Sequence, residues 1–321
     1  MLLGVTLVTF VLTRVLPGSP IDQIAGPMST PAQRQALMAH YGLDRPLWVQ
    51  YLAYIGGVAR GDFGFSFTTS HPVAQDLGRF FPATMELTTT AMVVATVVGV
   101  PLGVLGAVRA GSWIDHLVRV VAVAGVALPI FWLSLVLIYL LYSTWHLLPA
   151  PMGRLSPQSV PPHQVTGLLL VDSLLAGDGA AFIDAVRHLV LPVAVLAFAA
   201  VAPLARITRT SMLEILSSPH VRATRSLGIP ARRVVWTYAF RNAMLPVLTM
   251  LAIVYGFLLG GSVLVETVFA WPGLGRYAFN AVSGNDYPAV QGFILYATVI
   301  YVTIFIVVDV LYGVLDPRVE A

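Results

Sequence analysis

Five arginines stand in the stretch VRATRSLGIPARRVVWTYAFRNAMLP, at Arg222, Arg225, Arg232, Arg233 and Arg241, with no acid among them. A guanidinium is a fixed fork of N–H donors that stays charged, so such a cluster can clamp carboxylates or phosphates. It cannot act as a nucleophile or a general base. Lysine could, but all 18 Lys and Arg residues of the chain are arginine. A phosphate-binding P-loop lysine and a Schiff-base lysine are therefore excluded. There is no cysteine, hence no disulfide framework and no thiolate metal site. The seven histidines are scattered without zinc-site spacing, and no Gly-x-Ser-x-Gly elbow occurs, so metal and nucleophilic chemistry have no sequence basis.

Three carboxylates are the other candidates, because each lies in or beside an apolar run where charge is costly. Glu86 falls in the first turn of a predicted span, where the helix dipole favours a carboxylate over a substrate-contact role. Glu266 follows Gly260-Gly261 and precedes Trp271-Pro272-Gly273, a pattern in which the chain leaves its span and folds back. A gate and a structural bond to that turn are equally open for it. Asp309, in the last span, is expected to pair with an arginine of the central loop rather than to line a pathway. His188 reads as a capping or interfacial residue.

The elements that must position these residues follow from composition. The 321 residues are 57% hydrophobic and 10% charged, with mean hydropathy +0.82. Soluble domains carry roughly 25% charged residues, so the chain reads as an integral membrane protein. About 20 apolar residues cross a bilayer core. Segments 83–107, 118–142, 188–205, 243–264 and 290–314 meet that need, the 188–205 span despite Pro192 and Pro203. Residues 1–16 form a further, short candidate that stops at Pro17-Gly18, and its lead-in is expected to have been clipped or mis-assigned. The expectation is an all-helical protein with six transmembrane helices: a first helix over 1–16, an extracytoplasmic helical segment over 17–79, and a five-span core over 80–315. Loops 107–119, 206–242 and 315–321 hold ten of the arginines, against seven in the opposite segments. The positive-inside rule then puts that side, and both termini, in the cytoplasm.

Within the external segment, Thr30-Pro31 and Arg45-Pro46 open two short amphipathic helices separated by Gly42, and Trp48, Tyr51 and Tyr54 fit an interfacial aromatic layer. In the 206–242 loop, Ser218 is the predicted cap and Pro219 the first-turn residue of a helix running through Leu227 to Gly228, the usual left-handed terminator. A second helix starts near Pro230. Anionic lipid headgroups account for the charge, at about 1 kcal/mol per arginine. A partner that receives a short helix accounts for both charge and caps.

These residues resemble the membrane subunits of type I ATP-binding-cassette importers, in their dipeptide/oligopeptide permease branch. That family carries a cytoplasmic loop of Glu-Ala-Ala, three residues and Gly, leading into an apolar helix that ends Leu-Pro. Counted back from Gly228, the motif positions are Arg222, Ala223 and Thr224, so arginine stands for the glutamate and threonine for the second alanine. Further stretches resemble the same branch in order: RVLPGSP (14–20), GDFGFSF (61–67), PATMELTT (82–89), GVPLGVLGAVRAGSWID (99–115), LPIFWLSLVLI (128–138), GGSVLVETVFAWPGLGRY (260–277) and LYGVLDPR (311–318).

The resemblance implies a permease subunit of the bacterial inner membrane, half of a pathway for di- or oligopeptides. Its implied partners are a homologous second permease, two cytoplasmic ATPases, an extracytoplasmic binding protein and membrane lipid, with no nucleic acid. ATP and Mg would sit on the ATPases and no cofactor on this chain, which is not itself an enzyme. Pro219, Arg222, Ala223, Thr224, Arg225, Leu227, Gly228, Arg232 and Arg233 would form the contact with an ATPase, as a coupling helix between spans 4 and 5. The same branch includes importers of nickel chelates, glutathione and haem. A secondary transporter or an intramembrane enzyme are readings of another class. The first should show repeated halves and midplane carboxylates, the second convergent polar residues within the spans.

Overall fold

The structure is a computed structural model in which residues 2–15, 29–40 and 42–315 are described. Among them the protein is helical, apart from an isolated antiparallel bridge between Phe65 and Pro72. The expected stop at Pro17-Gly18 and the C-terminal stretch with Arg318 lie outside the described residues.

The chain divides into two compact units, one of Met1–Ala83 and Pro272–Val302, the other of Thr84–Trp271 and Thr303–Ala321. In the first, α1 (Leu2–Val15) turns Thr6, Thr9 and Thr13 inward and leaves Leu3, Val8 and Leu12 exposed. The threonine spacing of three and four puts them on one helical face, where each hydroxyl also returns to its own backbone. Phe10 packs on Tyr51 and Tyr54 of α3 (Leu47–Val58), and Tyr51 reaches Thr6 at 3.1 Å. Two of the three expected interfacial aromatics thus face protein; Trp48 is exposed. Between them, α2 (Pro31–His40) opens on a capping box, with Thr30 N–H donating to Gln33 Oε1 and Gln33 N–H to Thr30 Oγ1. The predicted break at Gly42 has φ +63°.

The first third of α4 (Val73–Val108), together with α12 (Leu274–Ser283) and the start of α13 (Tyr287–Leu315), builds this unit's core around Val73, Leu77, Leu274, Tyr277, Ala281 and Ala289. Two carboxylates buried beside it, Asp76 and Asp286, are held by Thr69 and by Ser66 and Thr68 N–H respectively.

The second unit is arranged about α8 (Gly179–Leu216), a 38-residue helix whose most apolar window is 72% buried. Asp178 caps it through Ala181 N–H, and Pro192 and Pro203 lie inside without ending it. Before it come α5 (Trp113–Ala127), α6 (Ile130–Leu137, continued as a π-helix over Ile138–Thr144) and the short α7 (Leu169–Leu175). After it come α9 (Pro219–Ser226), the single turn α10 (Ala231–Arg233), a π-helical stretch Val234–Ala239 and α11 (Phe240–Val268). Glycines let α8 approach its neighbours closely. A Cβ on Gly103 of α4 would stand 2.6 Å from Thr208 Cβ, and one on Gly125 of α5 2.8 Å from Ala202 Cβ. Small residues serve this purpose at helix contacts in membranes.

Among the described residues, four helices are long and apolar enough to span a bilayer: Val73–Val108, Gly179–Leu216, Ala231–Val268 and Tyr287–Val310 of α13. A fifth is the pair α5–α6, bent by 104°. The uninterrupted span expected at 118–142 is thus broken. Pro129 has no N–H to donate and pushes Leu128 out of helical geometry, to ψ 124°. The described part of α1 has 14 residues, about 21 Å of helix at 1.5 Å per residue, which falls short of a bilayer core.

Candidate functional site

The arginine-rich loop forms a small projection on the second unit. Pro219 supplies the first-turn φ of α9, and Gly228, two residues past the helix, has φ +75° with open space around it. Ser218 holds the N-cap position, but its hydroxyl donates to Ile215 O at 2.6 Å and lies 3.0 Å from His220 Nδ1, taking no backbone N–H of the helix. The expected side-chain cap is therefore absent, because that hydroxyl closes the turn after α8. One residue of α9 is buried. Val221 enters a cluster with Val104, Ala107, Met212, Val234, Ala239 and Ala243, a burial that stabilises by about 2 kcal/mol.

Everything else on α9 faces outward to some degree. Arg222, Ala223 and Arg225 are exposed, Thr224 is half-buried, and Leu227 is 79% exposed. Arg232 and Arg233 are also exposed, and with Pro230, Trp236 and Thr237 they line an open groove. The arrangement is a small knob with a cationic surface and one exposed leucine. It suits a receiving cleft that offers carboxylates around an apolar floor.

Glu86 is placed differently from the sequence expectation. α4 begins at Val73, so Glu86 lies about three and a half turns inside the helix, too far in for the dipole to explain it. Its carboxylate instead accepts from Arg154 Nη2 at 2.5 Å and from Leu170 N–H at 2.6 Å. Arg154 also donates to Gly167 O and lies over the Trp271 ring, while Gly153 N–H donates to Phe269 O. The loop between α6 and α7 is thereby pinned to the helices through one carboxylate. A second tie joins it to α8, where Ser156 and Ser159 donate to Asp184. His188, expected as a cap or an interfacial residue, is buried inside α8 with Nδ1 2.9 Å from Asp184 O.

Asp172 organises the same loop by accepting from Thr166 N–H, Thr166 Oγ1 and Gly167 N–H. Burial pushes that carboxyl up, but the Thr166 and Gly167 bonds outweigh it and hold it below its ordinary value.

Glu266 is fully buried and accepts from Thr84 Oγ1 at 2.7 Å and Ser262 Oγ at 3.1 Å. Its backbone carbonyl takes Trp271 N–H at the end of α11, where Ala270 has φ +49°. Asp309 is exposed, and among the described residues it forms no ion pair with an arginine of the central loop. Among the described residues no cluster of three or more His, Cys, Asp or Glu could hold a metal ion.

One group escaped sequence reading. Asp115 accepts Arg209 Nε at 2.5 Å and Nη2 at 3.0 Å, and Gly111 N–H at 3.0 Å. The only local signal was Ser112 three residues earlier, whose side chain caps α5 through Asp115 N–H.

Residues 99–321 match the family model of the binding-protein-dependent transport system inner membrane component, and residues 1–88 match its N-terminal counterpart. The dipeptide transport system permease protein DppB of Escherichia coli K12 is 42% identical over 99% of this chain and 94% of its own. The probable D,D-dipeptide permease DdpB of the same strain is 42% identical over 98% and 93%. A glutathione transport system permease, GsiC of Escherichia coli O1:K1 / APEC, is 36% identical over 98% and 94%. Among solved structures, a chain of the inward-facing MetNI methionine ABC transporter superposes with TM-score 0.54 at 17% identity, covering 73% of this chain and 93% of its own, which supports the fold. The chain belongs to the family of inner-membrane components of binding-protein-dependent transport systems.

Proposed function

We propose that this chain is one of two homologous permease subunits of an ATP-driven importer of short peptides, and that α9 is the helix through which ATPase closure reaches the spans. The observation that carries the reading is α9 itself: eight residues held by one buried valine, ended by a positive-φ glycine, with its arginines and Leu227 turned outward. A lipid-facing cluster needs the charge but not the rigid ends.

The six-span topology is part of the proposal, with α1 as the sixth span, the arginine-rich side in the cytoplasm and both termini there. Pro219, Arg222, Ala223, Thr224, Arg225, Leu227, Gly228, Arg232 and Arg233 form the ATPase contact. ATP and Mg belong to the ATPases, since this chain has no lysine for a P-loop. A binding protein delivers the substrate from outside. Peptides are the first choice because two of the relatives are named for dipeptides. Glutathione is the second reading, supported by the glutathione permease that is 36% identical.

The test is purification of the tagged chain from its native membrane. Two ATPase subunits and a second permease are expected with it, and their absence refutes the reading. Gly228→Val, which forces a β-branched residue toward positive φ at a cost of about 2 kcal/mol, should abolish substrate-stimulated ATP hydrolysis while insertion stays intact. Uptake competition between dipeptides and glutathione decides the substrate.

A further inference from the structure

The end of α8 that leads into α9 is held in two chemically different ways. Toward α4 and α11 the contact is apolar: Val104, Ala107, Met212, Val221, Val234 and Ala243 share one cluster, and no α5 residue belongs to it. Toward α5 the contact is directional. Arg209, on α8, sends both a Nε–H and a Nη2–H to the two oxygens of Asp115. That carboxylate is 2% exposed, takes Gly111 N–H as well, and has Arg119 3.8 Å away.

The route of the Arg209 stem is built for this reach. It passes Gly106 of α4, where an added Cβ would lie 3.4 Å from both Arg209 Cδ and Val118 Cγ1. Farther along the same two helices, Gly125 lets α5 close on Ala202 and on Phe198 O, at 2.8 and 2.9 Å from where its Cβ would stand. α5 is therefore gripped by α8 near both of its ends. Immediately beyond the second grip the backbone breaks at Leu128-Pro129, and α6 departs at 104°.

An apolar cluster resists separation but tolerates sliding, whereas a bidentate guanidinium–carboxylate pair fixes both distance and angle. We propose that Asp115 and Arg209 are positioning residues of the coupling apparatus: they lock α5 to α8, so that a displacement of α9 moves α8 and α5 as one body and the bend at Leu128-Pro129 takes up the motion. This rests on the reading of α9 as the ATPase-contacting helix.

The chain contains no cysteine, so two introduced thiols are the only ones it carries, and the partner subunits are used with their own cysteines replaced. Val120→Cys on α5 and Ser217→Cys just before α9, both at exposed positions, would carry spin labels in the complete complex with its ATPases. Pulsed dipolar spectroscopy is then recorded without nucleotide and after trapping with ATP and orthovanadate. With the pair intact, one distance distribution should serve both states. In Asp115→Asn the distribution should shift between states by more than its own width, and the ATP hydrolysed per substrate transported should rise several-fold.

A merely structural role would loosen the distance equally in both states and leave that ratio unchanged, which overturns the proposal. It is also overturned if the parent distance changes on trapping, or if the variant matches the parent in both states. Should Asp115→Asn fail to assemble, Arg209→Lys, which keeps the charge and loses the fork, is read by the same criteria; failure of both to assemble marks the pair as a folding determinant and the proposal falls. If no ATPase accompanies the parent chain, the coupling reading fails first and this linkage with it, before any distance is measured.

Discussion

Replacing Glu86 by glutamine tests whether one carboxylate holds the α6–α7 loop. Gln keeps the volume and one acceptor oxygen; the charge and the second acceptor are lost, and with the oxygen kept toward Leu170 N–H the amide NH2 faces the Arg154 guanidinium. Arg154 is then left 16% exposed, with Gly167 O as its remaining hydrogen-bond acceptor and its Nε already lacking one. Removing one partner of a buried pair costs about 3–5 kcal/mol. Arg154 keeps some solvent and the Trp271 ring, so about 2 kcal/mol is the expected local loss. At about 1.4 kcal/mol per tenfold, that raises the opening equilibrium of the loop roughly thirtyfold.

The direct probe is hydrogen exchange of Leu170 N–H, which donates to Glu86. Protection of the peptide carrying it should fall by that factor in Glu86→Gln, while peptides of α8 stay protected. The double variant Glu86→Gln/Arg154→Gln should lose less than the two single losses added, because no charge is then buried alone. Exchange at Leu170 unchanged within about twofold, in an assembled protein, would mean that the loop is held by its other ties and that the ion pair contributes nothing.

Gly103→Ala should lower the melting temperature through overpacking worth about 1–3 kcal/mol, since its Cβ would meet Thr208 Cβ at 2.6 Å and Ala205 O at 2.7 Å. Gly78→Ala on the same helix has nothing within 4 Å and should be neutral or slightly stabilising. Asp172 has its folded pKa below the ordinary 3.8, so its stabilisation is complete above that value and is lost as pH falls through the folded one. Exchange protection at Thr166 and Gly167 should accordingly hold level down to the ordinary carboxylate range and drop only below it, and Asp172→Asn should remove the drop.

Locally encoded features of this fold could be read from the chain, and features made by distant residues could not. Gly228 with positive φ and Pro219 at a first turn are consequences of one residue's own geometry, and both were legible. The apolar runs behind the long helices were legible too, but their starts were not. Hydropathy reports which residues tolerate hydrocarbon, whereas a helix continues for as long as its backbone bonds are satisfied. That is why α4 extends back to Val73, through Asp76 and Arg79. Pro129 was visible in LPIFWLSLVLI, yet Pro192 and Pro203 leave α8 unbroken while Pro129 turns its span through 104°. The difference lies in what surrounds each proline: α8 is buried among neighbours that hold it, and Leu128 is left with extended geometry.

The charged residues show the same division more sharply. Sequence can say that a carboxylate in an apolar run must be compensated, but not by what. For Glu86 the nearest local explanation was a helix terminus, and the partner is an arginine 68 positions away. For Asp115 and Arg209 the separation is 94 positions. The three carboxylates singled out for lying in or beside apolar runs meet three different fates: an ion pair at Glu86, hydrogen bonds from hydroxyls at Glu266, and exposure at Asp309. Burial alone therefore does not separate a gate from a strut. What separates them is whether the partner belongs to a segment that must move relative to the carboxylate's own helix during the cycle. By that measure Glu86, which ties a loop to a helix, is a better candidate for a contact broken in transport than Glu266, whose donors include Ser262 of its own helix.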